Sequence, residues 1–315
     1  MNGAPKMNPI RAFGRAFALI FMIVAPVWVL APLFGVMVGQ SRQFGQPQPI
    51  KHVIFDLGGV LVLEPTKTKG LRQIGLLRLL RYWLSGSGKL SKLKKKYINF
   101  LHRVKPLSPG RPQALTQDGS QLLPELLHES MTNERSSEEI LQEIELFLAN
   151  DTTLGKSEKT LMHAIALMNF TPETLAKIMR PSKKGIEFVK HCKSAGLNVY
   201  ILSNFETETY EKIQKRYPEL FDLFEEENTF VSGYLGVVKP DARIYEVILD
   251  AHNLDSATCV FIDDQKENIA AAEACGINGI WCPKKKGLFG SSPNIELVAQ
   301  ELENMGVESI ETVQA

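Results

Sequence analysis

Carboxylates stand directly after two short apolar segments of this sequence. Asp56 follows Val53–Phe55, and the adjacent Asp263 and Asp264 follow Cys259–Ile262. Apolar runs of this length are typical of buried strands, and open α/β sheets bind their ligands where such strands end. Carboxylate oxygens bind Mg²⁺, and an aspartate can also attack an electrophile as a nucleophile. These positions therefore indicate a candidate site for metal binding or nucleophilic catalysis.

Small and basic residues accompany these carboxylates. Gly58 would let the backbone approach a ligand closely, so that its carbonyl could become a further metal ligand. Ser203 ends another apolar run, and Lys239 precedes a proline. Each also has an ordinary structural explanation: the serine as a turn residue, the lysine as a surface residue, and the acidic pair as the cap of the next helix. The acidic pair is the most informative, because adjacent negative charges repel unless a cation or a helix terminus neutralises them.

Four segments, in this order along the chain, resemble the motifs of the haloacid dehalogenase-like (HAD) hydrolase superfamily. They are HVIFDLGGVLV at His52–Val62, ILSN at Ile201–Asn204, VVKPDARIY at Val237–Tyr245 and VFIDDQKENIAAAEACGI at Val260–Ile277. The DLG in the first motif is similar to that of a sugar-phosphatase-like subgroup. The resemblance implies an α/β fold, with a Rossmann-like, doubly wound parallel sheet and an inserted, mostly helical cap.

The resemblance also implies a reaction and its residues. The expected reaction is hydrolysis of a phosphomonoester through an aspartyl phosphate, with Mg²⁺ as the cofactor. Asp56 would be the nucleophile, Ser203 would hydrogen-bond the transferred phosphoryl group, and Lys239 would balance its charge. Asn204 would help Ser203 and Lys239 to bind the substrate. The metal residues would be Asp56, Gly58, Asp263 as the main ligand, and Asp264 acting through water or from outside the direct ligands.

One position departs from the family pattern. Most HAD phosphatases have a second aspartate two residues after the nucleophile, which acts as general acid and base, and this chain has Gly58 there. General acid–base help is worth about 10²–10⁴-fold in rate. Two alternatives therefore stay open: a catalytically weak or inactive membrane-tethered binding protein, and a metal-independent dehalogenase. The pair Asp263–Asp264, which the dehalogenases lack, favours the Mg²⁺ phosphatase. Asn268 is expected to orient Asp264 or Lys239.

The spacing of the motifs predicts an inserted domain. The interval between Asp56 and Ser203 is far longer than a crossover connection needs, and it contains several helical patterns. Beyond residue 181, predicted strands alternate with predicted helices, as in an α/β protein. We therefore predict an N-terminal segment at 1–49, a catalytic core at 50–65 and 181–290, a helical cap at 66–180, and a C-terminal helix and tail at 291–315.

Charge and architecture limit the expected partners. A cap that closes over the site restricts substrate size, so small phosphorylated metabolites such as sugar phosphates are expected. The formal net charge of +1 says nothing about partners, and no nucleic-acid partner is expected. From Lys67 to Arg111 there are thirteen Lys or Arg and no acidic residue. This basic segment is either a solvated helix face or a contact for an anionic partner or membrane.

An uncharged segment near the N-terminus predicts a membrane anchor. Residues 16–39 form a run of 24 residues without a charge. That length can span a bilayer, and it exceeds the ~7–15 apolar residues of an export signal. The sequence thus predicts association with a membrane through an N-terminal anchor at 16–39. A cleaved export signal is the alternative, and the side of the membrane is not fixed.

Overall fold

A parallel five-stranded sheet forms the centre of the described part of the chain. The computed structural model describes residues 48–63, 65, 67–86, 89, 92–111, 114–116, 121–287 and 290–307. The sheet strands are β1 His52–Phe55, β4 Asn198–Ser203, β5 Thr229–Val231, β6 Cys259–Asp263 and β7 Asn278–Trp281. Their order is β5-β4-β1-β6-β7, and every neighbouring pair is parallel. The first strand therefore lies between β4 and β6.

Helices and two small antiparallel pairs complete the described elements. Between β1 and β4 lie α1 Lys67–Ile74, α2 Leu76–Leu84, α3 Leu93–Val104, α4 Glu125–Met131, α5 Ser137–Asn150, α6 Lys156–Phe170, α7 Pro172–Ile178 and α8 Lys183–Ser194. After β4 come α9 Thr207–Arg216, α10 Pro218–Phe221, α11 Ser232–Leu235, α12 Ala242–Ala251, α13 Lys266–Ala274 and α14 Ile295–Asn304. The small pairs are β2 Val62–Leu63 with β3 Arg180–Pro181, and β8 Lys284–Gly287 with β9 Gly290–Pro293.

Both faces of the sheet are buried. In β1, Val53 and Phe55 belong to one hydrophobic cluster, whereas Ile54 belongs to a second cluster on the other face. The same alternation is found along β4 and β6. A strand that is buried on both faces reads as a continuous apolar run, which explains the sequence pattern. The predicted doubly wound α/β fold is confirmed.

The helices from α1 to α6 share a third hydrophobic cluster. Leu126, Ile140 and Leu161 are fully buried there, on α4, α5 and α6 respectively. Residues 70–84 carry a basic amphipathic pattern in the sequence, and the structure divides it between two helices, because Gly75 has a φ of +95° and separates α1 from α2. That backbone conformation is incompatible with a helix interior. The proposed limits of the cap at residues 66 and 180 stay a prediction.

Ion pairs connect the basic segment to the acidic residues that follow it. Lys96 pairs with Glu158, Arg103 with Asp151, and Lys105 with Glu129. Arg111 pairs with Glu125, whose side chain is fully buried. The charge asymmetry of the sequence is therefore compensated in part by contacts within the helical region.

The predicted membrane localisation is corrected by the structure. In the described part of the chain, no helix has both the length and the apolar character that a bilayer crossing requires. The longest helix there, α6, has 15 residues, whereas a span needs about 20. Residues 16–39, from which the anchor was predicted, lie outside the described residues. The structure therefore does not support the predicted membrane anchor or the predicted membrane contact.

Candidate active site

The register of the sheet brings three predicted site residues to one edge. Phe55 of β1 pairs with Ile201 of β4 and with Ile262 of β6. The next residues are Asp56, directly after β1, and Asp263, the last residue of β6. Since parallel strands end at the same edge, both carboxylates and the Ser203 hydroxyl at the end of β4 lie together there.

Asp56 is buried and hydrogen-bonded. Its carboxylate Oδ1 accepts a 3.0 Å hydrogen bond from Ser203 Oγ and a 2.8 Å hydrogen bond from Lys239 Nζ. Only 4% of Asp56 is exposed, and Lys239 and Ser203 are buried as well. Both bonds end on the same oxygen, so they fix the plane of the carboxylate and orient its second oxygen, Oδ2.

Lys239 connects the ends of three strands at the site, β1, β4 and β6. Besides Asp56, its Nζ donates to Asp263 Oδ2 at 2.7 Å and to the Leu202 carbonyl at 2.9 Å. Asn204 holds the lysine backbone, because its amide donates to the Lys239 carbonyl at 3.0 Å and accepts from the Lys239 N–H at 2.9 Å. Asn204 thus positions Lys239, and its contact with a substrate stays a prediction.

Asp263 is fully buried, and each of its oxygens has a further partner. The backbone N–H of Gln265 donates to Oδ1 at 2.7 Å, and Asn268 Nδ2 donates to Oδ2 at 3.0 Å. The expectation that Asn268 orients Asp264 or Lys239 is therefore wrong. It orients Asp263, the last residue of β6, which is five residues earlier in the sequence.

Asp264 completes a cluster of three carboxylates. One oxygen from each of Asp56, Asp263 and Asp264 lies within 4.8 Å of the others. Lys284 of β8 pairs with Asp264 Oδ2 at 2.8 Å. Gly59 has a φ of +87°, and a Cβ there would collide with the Asp264 carboxylate. A residue with a side chain at position 59 would thus be disfavoured by the left-handed backbone conformation and by the collision with the Asp264 carboxylate.

Burial and mutual repulsion shape the electrostatics of this cluster. Burial, together with the negative charges of Asp263 and Asp264, raises the pKa of Asp56 from 3.8 to about 7, although Lys239 opposes the shift. Burial lowers the pKa of Lys239, but the Asp263 and Asp56 carboxylates outweigh it and raise that pKa overall. Among the described residues, Lys239 pairs with Asp56 and Asp263, and Lys284 pairs with Asp264.

This donor set suits Mg²⁺. The three carboxylates supply hard oxygen ligands at close spacing, and Gly58 lines the cavity beside Asp56. A divalent cation would also offset the excess negative charge of the buried cluster. The residues predicted from the sequence as metal ligands are thus near one another.

Two residues that contact the site carboxylates, Gln265 and Lys284, could not be identified from the sequence. Gln265 contributes only a backbone N–H, so its residue type carries no signal. Lys284 belongs to a run of three lysines, and the sequence offers no reason to single it out. Its ion pair with Asp264 depends on the fold, in which β8 places Lys284 next to the residue that follows β6.

Comparisons with known proteins were made with the sequence and with the structure. The chain is 30% identical over 102 residues to the sesquiterpene phosphatase astK of Aspergillus oryzae, an alignment that covers 32% of this chain and 50% of that protein. It is 26% identical over 115 residues to the drimenol cyclase drtB of Aspergillus calidoustus, covering 36% of this chain and 21% of that protein. The chain thus spans half or less of these curated relatives.

Structural comparison and a family profile give a broader match. A HAD family enzyme from Bacteroides thetaiotaomicron superimposes with a TM-score of 0.50 at 14% identity, covering 76% of this chain and 97% of that one. A likeness at this identity concerns the fold alone. Residues 50–276 match the profile of the haloacid dehalogenase-like hydrolases, and they include all four motifs apart from the last residue of the fourth. Since this match extends over well more than half of the sequence, the chain belongs to the haloacid dehalogenase-like hydrolase family.

Proposed function

We propose that this chain is a Mg²⁺-dependent phosphomonoester hydrolase that acts through an aspartyl phosphate on Asp56. We also assign it to the sugar-phosphatase-like subgroup with DLG in its first motif. One observation carries the proposal: Asp56, Ser203, Lys239 and the Asp263–Asp264 pair form a single buried cluster beside a cavity. The similarity to a sesquiterpene phosphatase supports phosphatase chemistry.

Each residue has a defined task in the proposed reaction. Asp56 Oδ2 attacks phosphorus and forms an O–P bond while the bond to the alcohol oxygen breaks, and the alcohol oxygen takes a proton from solvent water. A second water then attacks the same phosphorus, the bond to Asp56 breaks, and the proton that this water loses returns to the solvent, so that inorganic phosphate and the free carboxylate result. Ser203 and Lys239, which both contact the nucleophile, would hydrogen-bond the phosphoryl oxygens and balance their charge.

Four residues would hold the cation. Asp56, Asp263 and the Gly58 carbonyl are the proposed direct ligands, and Asp264 would act through water. Bound Mg²⁺ supplies positive charge that reduces repulsion between the phosphate and the attacking carboxylate. The protein keeps the ligands in place through Lys239, Gln265 and Asn268.

An assay of the full chain with p-nitrophenyl phosphate tests this proposal. We expect release of p-nitrophenol in Mg²⁺ and a loss of about 10²-fold or more in EDTA, with recovery when Mg²⁺ is restored. Hydrolysis that is equally fast in EDTA would contradict the metal-dependent mechanism. A sample inactivated with EDTA that does not recover would point to unfolding, which circular dichroism distinguishes.

A second candidate function is a HAD-fold binding protein with little or no turnover. Gly58 favours it, because no carboxylate stands at the usual position of the general acid and base. Such a protein would bind inorganic phosphate or vanadate in the presence of Mg²⁺ but would not hydrolyse p-nitrophenyl phosphate. Calorimetric titration with vanadate, run beside the phosphatase assay, separates the two functions.

Restoring the missing carboxylate should increase activity selectively. We expect Gly58→Asp to raise turnover of an alkyl phosphate by about 10-fold or more, since an alkoxide must be protonated as it leaves. Turnover of p-nitrophenyl phosphate should change less, because a nitrophenolate leaves without a proton. Gly58 lines the cavity and, unlike Gly59, has no positive φ, so its backbone accepts a side chain.

Gly58→Asn is the matched control for this substitution. It adds a side chain of the same size that cannot donate and accept the catalytic proton. Steady-state turnover of the alkyl phosphate should therefore rise for Gly58→Asp alone. Equal effects of the two variants, or equal effects on the two substrates, would mean that another group already transfers the proton.

A further inference from the structure

The cavity beside Asp56 extends from the sheet edge to the helical region. Its volume is about 360 Å³, within the range of small-molecule sites. Asp56, Ser203 and Lys239 line one side of it. A phosphate ester placed with its phosphoryl group at Asp56 would therefore direct its alcohol part towards the helices.

The opposite side of this cavity is predominantly apolar. It is lined by Ile98, Leu115, Leu123, Leu127, Met131 and Leu175. Polar side chains from the same region are fewer: Lys94, Thr116, Ser130 and Asn169. The part of the site that would contact the alcohol is thus built mainly from hydrocarbon.

Several of these apolar side chains are only half-buried. Leu123, Met131 and Leu175 keep partial exposure, whereas Leu126 and Ile140 nearby are fully buried in the helical core. Covering half-buried apolar surface with a hydrocarbon ligand is favourable, and a methylene that becomes fully buried is worth about fourfold in affinity, with less for one that stays partly exposed. A sugar, in contrast, would lose hydration of those hydroxyls that meet these apolar side chains.

We propose that the substrate is the phosphomonoester of an apolar alcohol, whose hydrocarbon part fills this cavity. The inference rests on the proposed phosphatase function and narrows its substrate class. It replaces the sugar phosphates expected from the sequence with phosphates of alkyl or similar hydrocarbon alcohols. In this proposal, Ser130 and Asn169 border the apolar region and do not bind hydroxyl groups of the substrate.

A matched series of primary-alcohol phosphates tests the proposal on the full chain. Propyl phosphate and glycerol 1-phosphate differ in their hydroxyls, and propyl and octyl phosphate differ in chain length. We expect kcat/KM to rise about 10-fold to 100-fold from propyl to octyl phosphate, and to be lower for glycerol 1-phosphate than for propyl phosphate. Faster hydrolysis of glycerol 1-phosphate or glucose 6-phosphate than of the alkyl phosphates would overturn the inference.

A binding measurement separates this inference from the proposed function. Octylphosphonate cannot be hydrolysed, and in Mg²⁺ it should bind about 10-fold or more tightly than propylphosphonate in calorimetry. Equal affinities would refute the apolar site even if p-nitrophenyl phosphate is hydrolysed. Tighter binding of octylphosphonate without hydrolysis of any ester would instead refute the phosphatase and retain the apolar site.

Substitutions of residues that line the cavity test whether this cavity causes the preference for long alkyl chains. Met131→Gln and Leu123→Asn place polar groups in the cavity and should lower the octyl-to-propyl ratio of kcat/KM by about 10-fold. This ratio does not depend on the fraction of folded protein, so partial unfolding cannot mimic the result. Leu146→Asn is the control, because Leu146 lies on α5 with 65% exposure and is not part of the cavity. An unchanged ratio in both cavity variants would overturn the proposal.

Discussion

Asp56→Asn is expected to lower phosphatase turnover by about 10⁴-fold or more. An amide cannot form the acyl phosphate, so the variant loses the covalent step itself. Ser203→Ala removes only one hydrogen-bond donor from the site and should cost less, about 10²-fold. Steady-state rates with p-nitrophenyl phosphate in saturating Mg²⁺ measure both effects.

Trapping identifies the attacked residue independently of rate. Beryllium trifluoride mimics a phosphoryl group on a carboxylate, so it should bind the unmodified chain in Mg²⁺ with beryllium on Asp56. Fluorine NMR should show this bound species in the unmodified chain and in Ser203→Ala, and not in Asp56→Asn. Near-normal turnover of Asp56→Asn, or trapping on a different residue, would contradict the nucleophile assignment.

The same variant should be more stable than the unmodified chain in EDTA at pH 8. Because the pKa of Asp56 is raised to about 7 in the folded state from 3.8, the folded chain holds a proton that the unfolded chain releases between these values. The free energy of unfolding must then fall as the pH rises from about 4 to about 7, and the full loss persists above it. Asn has no such charge, and Lys239 keeps its partner Asp263.

Denaturation by urea at two pH values checks this stability effect. At pH 8 in EDTA we expect Asp56→Asn to gain about 1–4 kcal/mol, from 1.36 kcal/mol per pKa unit. At pH 4 the gain should be nearly absent, since the carboxyl is then protonated in the folded chain. A loss of stability at pH 8 would mean that the charge of Asp56 is already compensated within the protein, and would weaken the argument that the cluster needs a cation.

The sequence predicts the sheet and its edge well, because local signals determine them. Every residue of Val53–Phe55 is apolar since both faces of β1 are covered, and the same applies to β6. Parallel strands end at one edge, so Asp56 and Asp263 are neighbours whatever the details of the helices. The family assignment follows from these segments and was confirmed by the match over residues 50–276.

Features that depend on distant segments could not be predicted. The tail pattern at Asn294–Met305 predicts a surface helix but not the element against which its apolar face packs; in the structure, Val298 and Leu302 of α14 are fully buried against the cluster that also contains Phe55. Whether an amphipathic helix packs on the sheet or on another element is a property of the whole fold. The apolar lining of the cavity is hidden in the same way, since it combines residues from 98 to 175 that no periodic pattern connects.

Asp263→Asn is expected to raise the Mg²⁺ concentration for half-maximal activity by about 10²-fold and to lower turnover at any fixed concentration. The change removes one negative charge from a cluster in which Asp263 is the proposed main ligand. Asparagine keeps an oxygen that can accept from the Gln265 N–H, so the turn after β6 is preserved. Titration of activity with Mg²⁺, together with calorimetry of Mg²⁺ binding without substrate, gives both quantities.

Asp264→Asn provides the comparison within the same acidic pair. Its carboxylate pairs with Lys284 and would reach the cation through water, so the Mg²⁺ requirement should rise by only about 10-fold or less. The order of the two variants tests the ligand assignment, because Asp263 and Asp264 have the same charge and are adjacent in the sequence. If Asp264→Asn has the larger effect, the two roles are exchanged.

A metal-independent reaction would give a different outcome for Asp263→Asn and Asp264→Asn. In the dehalogenase alternative, activity would persist in EDTA and neither substitution would change a metal requirement. Three carboxylates within 4.8 Å of one another argue against that outcome, since an anionic substrate approaching Asp56 would meet the charges of Asp263 and Asp264 as well. Among the described residues, the ammonium groups that pair with these carboxylates are those of Lys239 and Lys284. A cation that binds in this cluster removes the repulsion, and it should therefore be necessary before any phosphate ester can reach the nucleophile.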